Sequence, residues 1–187
     1  KINAPTKIIS SSIQTNSITK HIDLRESIFQ YSSSEGGYTS GYGFADGISI
    51  TQYLMDVAFS PDGKTLMVLN GSNNKTIYSF DLATPFDVRT QKHTGTKTFS
   101  GETYPNSMWW HPDGLRFWTI GTTRDGIQEY STDMPWDLTN VTEVKHMKEE
   151  EIDGGQSEFN HRGLVWKPDG EKVYTMGATL DNISQYT

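Results

Sequence analysis

The sequence contains no cysteine, which excludes disulfides and thiolate metal sites from its architecture and chemistry. That absence leaves the compartment open, since many exported proteins also lack cysteine. Lys and Arg never gather into a patch, and the net charge is −7 from 16 basic and 23 acidic residues. Nucleic acid and anionic membrane are therefore poor partners. Apolar runs are only a few residues long, as in Leu66-Met67-Val68-Leu69, so no membrane insertion is expected. The first residue is Lys1 and no signal peptide is visible, so targeting is not legible. Helical signals are scarce as well. Only Thr139 to Glu151 hints at one, and its end, Lys148 to Glu151, reads as a solvated loop or frayed strand.

Aromatic residues and turn formers are abundant: 5 Trp, 9 Tyr, 8 Phe, 17 Gly and 7 Pro. Large flat rings suit packed sheets, and Gly and Pro supply the turns that many short strands need. The turns are periodic. Pro61-Asp62-Gly63, Pro112-Asp113-Gly114 and Pro168-Asp169-Gly170 stand 51 and then 56 residues apart. Each follows an apolar segment (Val57-Ala58-Phe59, Met108-Trp109-Trp110, Leu164-Val165-Trp166). Each precedes an alternating strand, Leu66 to Asn70, Phe117 to Gly121 and Val173 to Gly177. Pro fixes φ early in the turn and Gly accepts a positive φ, so each unit reads as a tight β-hairpin.

A third strand recurs in phase at Ile77 to Phe80, Ile127 to Tyr130 and Ile183 to Tyr186, with an earlier counterpart at Ile28 to Ser32. A Pro-aromatic-Asp turn follows in two copies, Thr84-Pro85-Phe86-Asp87-Val88 and Met134-Pro135-Trp136-Asp137-Leu138. The outer strand is then expected at Thr96 to Ser100 and Glu143 to Met147, with Ile48 to Thr51 as the earlier equivalent. Four short strands per roughly 50 residues is the size of one propeller blade. The expected fold class is all-β, antiparallel four-stranded meander repeats forming part of a β-propeller. Its parts are a lead-in or attachment segment at 1–26, a partial blade at 27–52, blades at 53–103 and 104–158, and a partial blade at 159–187. A divergent inner strand pair is the other reading of Lys1 to Glu26. Closed propellers need about four to eight blades, so sequence is expected to continue beyond Thr187, the alternative being blades shared between chains.

The combination of Phe59-Ser60-Pro61-Asp62-Gly63-Lys64, the Ile-x-x-Tyr strand and Pro135-Trp136-Asp137-Leu138-Thr139 resembles propeller repeats of phage and other virus structural proteins. The resemblance spans residues 28–187 and departs from its own pattern at Asn70, where later copies have Gly121 and Gly177. It implies a virion tail, fibre or decoration component that contacts a host surface, with no catalytic residues.

The five histidines, His21, His93, His111, His146 and His161, stand in no metal-binding or catalytic spacing. His111 occupies a turn position held by Ser60 and Lys167 elsewhere and reads as structural; His161 and Arg162 precede an inner strand that can face a central channel. Gluconolactonase-like propellers gather Glu, Asn and Asp around a divalent ion. Asp56, Asn106 and Arg162 occupy comparable positions here, although Arg repels a cation. Asp62, Asp113 and Asp169 belong to turns, Asp87 and Asp137 to loop hydrogen bonds, and Glu149, Glu150, Glu151 and Asp153 to a solvated loop. The Trp residues read as packing between blades. Tyr38 and Tyr42, in a Gly- and Ser-rich loop at Ser32 to Tyr42, and Tyr104 are candidate contacts for a host-surface glycan or partner.

The expectation is a non-enzymatic virion structural component, with other virion proteins, itself or a host glycan or protein as partners, located in the virion, and with no metal or other cofactor. Two alternatives stand beside it. One is an extracytoplasmic, extracellular or cell-surface propeller hydrolase or lactonase with a divalent metal. The other is a cellular interaction scaffold, disfavoured because Trp136-Asp137 falls in a turn.

Overall fold

The computed structural model describes residues 53–71, 75–102, 104–124, 126–148 and 160–187, and the backbone of three short strands before them. Chain contacts divide at Thr51/Gln52 into two units. In the first, β1 (Gln30–Tyr31), β2 (Gly41–Gly43) and β3 (Ser49–Thr51) form a three-stranded antiparallel meander. Tyr42 thus belongs to a strand, where the Gly- and Ser-rich composition around it had read as loop.

The second unit holds three successive blades. Blade 1 is β4 (Leu54–Phe59), β5 (Thr65–Asn70), β6 (Thr76–Leu82) and β7 (Gln91–Thr98); blade 2 is β8 (Pro105–Trp110), β9 (Arg116–Gly121), β10 (Ile127–Thr132) and β11 (Val141–Met147). Blade 3 comprises β12 (His161–Trp166), β13 (Val173–Gly177) and β14 (Ile183–Tyr186). Within each, consecutive strands pair antiparallel in chain order. The all-β meander fold expected from the repeat is the fold observed.

The Pro-Asp-Gly hairpins are wider than two-residue turns. In the first, Ser60 N–H donates to the Thr65 carbonyl at 2.9 Å and Gly63 N–H to the Ser60 carbonyl at 2.8 Å. The same pair of bonds recurs from His111 to Arg116 and from Lys167 to Lys172. Pro sits at the second turn position and Gly at the fourth, with φ +70, +74 and +75° at Gly63, Gly114 and Gly170. The Asp carboxylates close the turns from inside, accepting from the N–H of Lys64, Leu115 and Glu171.

The Pro-aromatic-Asp turn docks on this hairpin. Phe86 N–H donates to the Gly63 carbonyl at 2.8 Å and Trp136 N–H to the Gly114 carbonyl at 2.9 Å. Both aromatic residues carry φ near +59 and +58°, a strained conformation for bulky residues. Ring contacts offset the strain: Phe86, although 59% exposed, lies 5.5 Å from Phe59, and the half-buried Trp136 stacks on Trp110 at 5.0 Å. Asp87 and Asp137 then accept from the N–H groups two residues on, as an Asx turn requires. The outer strands start earlier than Thr96 and Glu143. The turn releases the chain already aligned with β6 or β10, and a bulge in each pairing absorbs the polar sequence.

Packing follows the repeat. Met67, Leu69 and Ile77 of blade 1 meet Met108, Trp110, Phe117 and Tyr130 of blade 2 in one core. Trp118, Ile120 and Ile127 of blade 2 meet Leu164 and Val173 of blade 3 in another. Trp110 enters the first and Trp109 the second, as neighbours on a strand must. Equivalent positions differ only by what covers them. Ile77 and Ile127 are buried, whereas Ile183, at the same point of blade 3, is 77% exposed. Conversely Val57 is 56% exposed in blade 1, while Met108 and Leu164 are buried by the preceding blade. Each such burial is worth roughly 2 kcal/mol, so stability is shared across blade interfaces.

Candidate functional site at the inner-strand ends

The first strand of each blade carries a bulge at the same repeat position. Register shifts fall between Leu54 and Asp56, between Pro105 and Ser107, and between His161 and Gly163. The inserted residues are Met55, Asn106 and Arg162, spaced like the Pro-Asp-Gly turns. Bulges re-aim side chains at sheet rims and beside active sites, and these three bring the chemistry-bearing residues of β4, β8 and β12 to one end of adjacent strands.

A relay of hydrogen bonds ties these ends together. The Asp56 carboxylate accepts from Ser107 Oγ at 2.8 Å and from Met108 N–H at 2.9 Å through Oδ2, and from Val57 N–H at 2.8 Å through Oδ1. Ser107 Oγ in turn accepts from Leu164 N–H at 3.3 Å. Asn106 Nδ2 donates to the His161 carbonyl at 2.5 Å. The rule is the same at both junctions: a polar side chain just past the bulge accepts from a backbone N–H of the next blade. In blade 3 that position is Gly163, which has no side chain to pass the relay on. Glu102 is fully buried before β8, where its carboxylate accepts from the N–H groups of Tyr104, Thr123 and Arg124 and fixes the loop leading to Asn106.

Asp56 and Asn106 are therefore inter-blade ties, and Arg162 is exposed beside them. These residues do not fit a divalent ion. Both Asp56 oxygens are engaged, and a guanidinium shares the rim. Among the described residues no group of three His, Cys, Asp or Glu side chains is placed to hold a metal. His161 is buried at the start of β12. His111 sits beside Asp113 in its turn, and His93 packs edge-on against Phe80 with Nε2 at 2.9 Å from Thr96 Oγ1. His21 lies outside the described residues. Of the three tyrosines, Tyr104 is 46% exposed immediately before β8, Tyr38 lies outside the described residues, and the side chain of Tyr42 does too. Reading along the chain missed Ser107 and Glu102. Aligning the inner strands on their repeat exposes the Asp56–Ser107–Gly163 column; nothing local marks Glu102.

The chain matches no family model and no curated protein. Solved structures do share its fold. A "putative 6-phosphogluconolactonase" from Bacteroides uniformis aligns with a TM-score of 0.55 at 16% identity, over 78% of this chain and 45% of that one. A protein of the same description from Bacteroides fragilis aligns with a TM-score of 0.53 at 14% identity, over 73% and 36%. A functionally unknown protein from Desulfotomaculum acetoxidans aligns with a TM-score of 0.51 at 18% identity, over 79% and 47%. This chain thus spans less than half the length of these structures. At such identities the likeness establishes the propeller fold.

Two expectations need correction. The reading that the chain is not an enzyme is overturned by these neighbours, two of which bear an enzyme's description. The resemblance to virion repeats finds no support as a family link, and neither do the phage-tail and host-attachment roles drawn from it. Its motifs are the turn chemistry of the propeller itself. Pro-Asp-Gly and Pro-aromatic-Asp form a single locked hairpin, which any propeller with this blade geometry can use.

Proposed function

We propose that this chain is an arc of a propeller hydrolase of the lactonase kind, acting on a phosphorylated sugar lactone at the inner-strand ends. The fold it shares with the two Bacteroides proteins carries this reading. The local chemistry is compatible with it. Arg162 is an exposed guanidinium on an acidic chain, held at a rim bulge by its position between buried His161 and Gly163. A guanidinium fork matches phosphate oxygens with two parallel hydrogen bonds. Tyr104 stands at the corresponding end of the neighbouring inner strand, where an exposed ring can stack on a sugar. The relay through Asp56, Ser107 and Asn106 holds these strand ends in register, so its role is positioning.

In the reaction, water adds to the lactone carbonyl and the ring C–O bond breaks. The product is an open hydroxy acid, which ionises to its carboxylate and so releases a proton. The reading is tested by titrating the purified chain with 6-phosphogluconate, the phosphorylated hydroxy-acid product, and following binding by NMR. Saturable shifts at Arg162 and Tyr104, with the affinity read at Tyr104 falling at least tenfold in Arg162→Ala, support it. Shifts equal in the variant, or absent from both, contradict it.

A further inference from the structure

The first strands of blades 1 and 2 are entered through tyrosines at the same repeat position, Tyr53 before β4 and Tyr104 before β8. The same backbone bond fixes both. Gly71 N–H donates to the Tyr53 carbonyl at 3.0 Å, and Thr122 N–H donates to the Tyr104 carbonyl at 3.2 Å. Tyr104 N–H also donates to the buried Glu102 carboxylate at 2.7 Å. Gly71 joins the two stations. A side chain there would run into the Pro105 carbonyl, so the residue bonded to Tyr53 touches the neighbour of Tyr104.

Both rings face solvent, Tyr53 63% and Tyr104 46% exposed. Blade 2 packs between blades 1 and 3, so the exposure of Tyr104 belongs to the rim and not to an open blade face. Tyr53 also carries φ +58°, an outlier for a bulky residue. Phe86 and Trp136 share that conformation and hold it by ring contacts. The Tyr53 side chain has no ring contact or hydrogen bond with a described residue. Backbone strain without such an offset is a mark of ligand clamps.

Two exposed rings in a row form a stacking platform, and the ligands that suit one are nucleobases and sugars. Platforms for single-stranded nucleic acid join their rings to a basic groove. This chain has a net charge of −7 and no patch of Lys and Arg, which leaves sugars. The next station, before β12, holds Asn160, so the row ends there after two rings. We infer that Tyr53 and Tyr104 bind a neutral glycan of at least two equatorially linked sugars, one sugar face on each ring. Such sugars present flat C–H faces, which the negative face of an aromatic ring attracts. The inference shares Tyr104 with the lactonase reading but needs neither its phosphate contact nor its hydrolysis.

The probe is cellotetraose, with glucose as the single-sugar comparison, added to the intact chain and followed by NMR at the two tyrosine rings. Tyr53→Gly removes one ring, and Gly accepts the positive φ, so the strand entry is kept. The expected result is saturable shifts at both rings and tighter binding of cellotetraose than of glucose. The affinity read at Tyr104 falls about tenfold in Tyr53→Gly and is retained in Tyr53→Phe, which keeps the stacking face. No saturable shift, equal affinity in Tyr53→Gly, equal binding of glucose, or loss in Tyr53→Phe overturns the inference. The probe carries neither phosphate nor lactone, so its failure is separate from failure of the 6-phosphogluconate titration.

Discussion

The indole of Trp136 lies where a side chain on Gly114 would stand, and its backbone N–H donates to the Gly114 carbonyl at 2.9 Å. Two motifs 22 residues apart are thus one device. Gly114 is required twice over, by its φ of +74° and by the ring above it. Gly170 has a similar φ but no ring within reach among the described residues. Gly170→Ala is expected to cost about 1 kcal/mol, the backbone penalty alone. Gly114→Ala is expected to cost roughly 1 to 3 kcal/mol more, because the indole must move. Urea unfolding of both variants measures the difference, and equal losses would show that the ring does not lock the turn.

Asp56 binds across a blade junction to Ser107 Oγ and Met108 N–H. Asp56→Ala leaves both donors without that acceptor and is expected to destabilise by about 1.5 to 3 kcal/mol, the range for hydrogen bonds to a charged group. Ser107→Ala removes a weaker link, at 3.3 Å to Leu164 N–H, and is expected to cost about 1 kcal/mol. The double variant should lose less than the sum, since the two side chains share a bond. Strict additivity in a denaturation cycle would argue against a relay.

Tyr130 is buried in the first inter-blade core, and desolvation pushes its phenol up to about 12 from an ordinary value of 10.0. Its folded state therefore holds the proton longer than the unfolded state does. That contribution is complete below pH 10 and is lost as pH rises toward 12. Tyr130→Phe cannot ionise, so the variant should gain on the native chain by roughly 2 to 3 kcal/mol between pH 10 and 12. Thermal melts across that range give the comparison, and parallel curves for the two proteins would contradict it.

The fold was legible because each blade repeats several anchors in one order. The Pro-Asp-Gly turns, the strand that follows each of them (β5, β9 and β13), and the Ile that opens the third strand are local signals, each visible in a few residues. The rim was less legible. Asp56, Asn106 and Arg162 were expected just before the inner strands and lie inside them, near their starts, and their direction depends on bulges that no local pattern announces. Asp56 turns sideways to the next blade because a buried N–H and hydroxyl there need an acceptor. That partner lies 51 residues away in sequence. The motif resemblance reached the propeller fold and no further for a related reason: the turn phrases report blade geometry, and function resides in side chains grafted onto it.

Hydrolysis itself is the most direct measurement of the proposed function. Opening of 6-phosphogluconolactone by the purified chain can be followed by proton release in a pH-stat, against the spontaneous rate and with Arg162→Ala alongside. An acceleration proportional to protein concentration, and reduced at least tenfold in the variant, is the result expected of a lactonase rim. A rate no different from the spontaneous one would contradict the assignment.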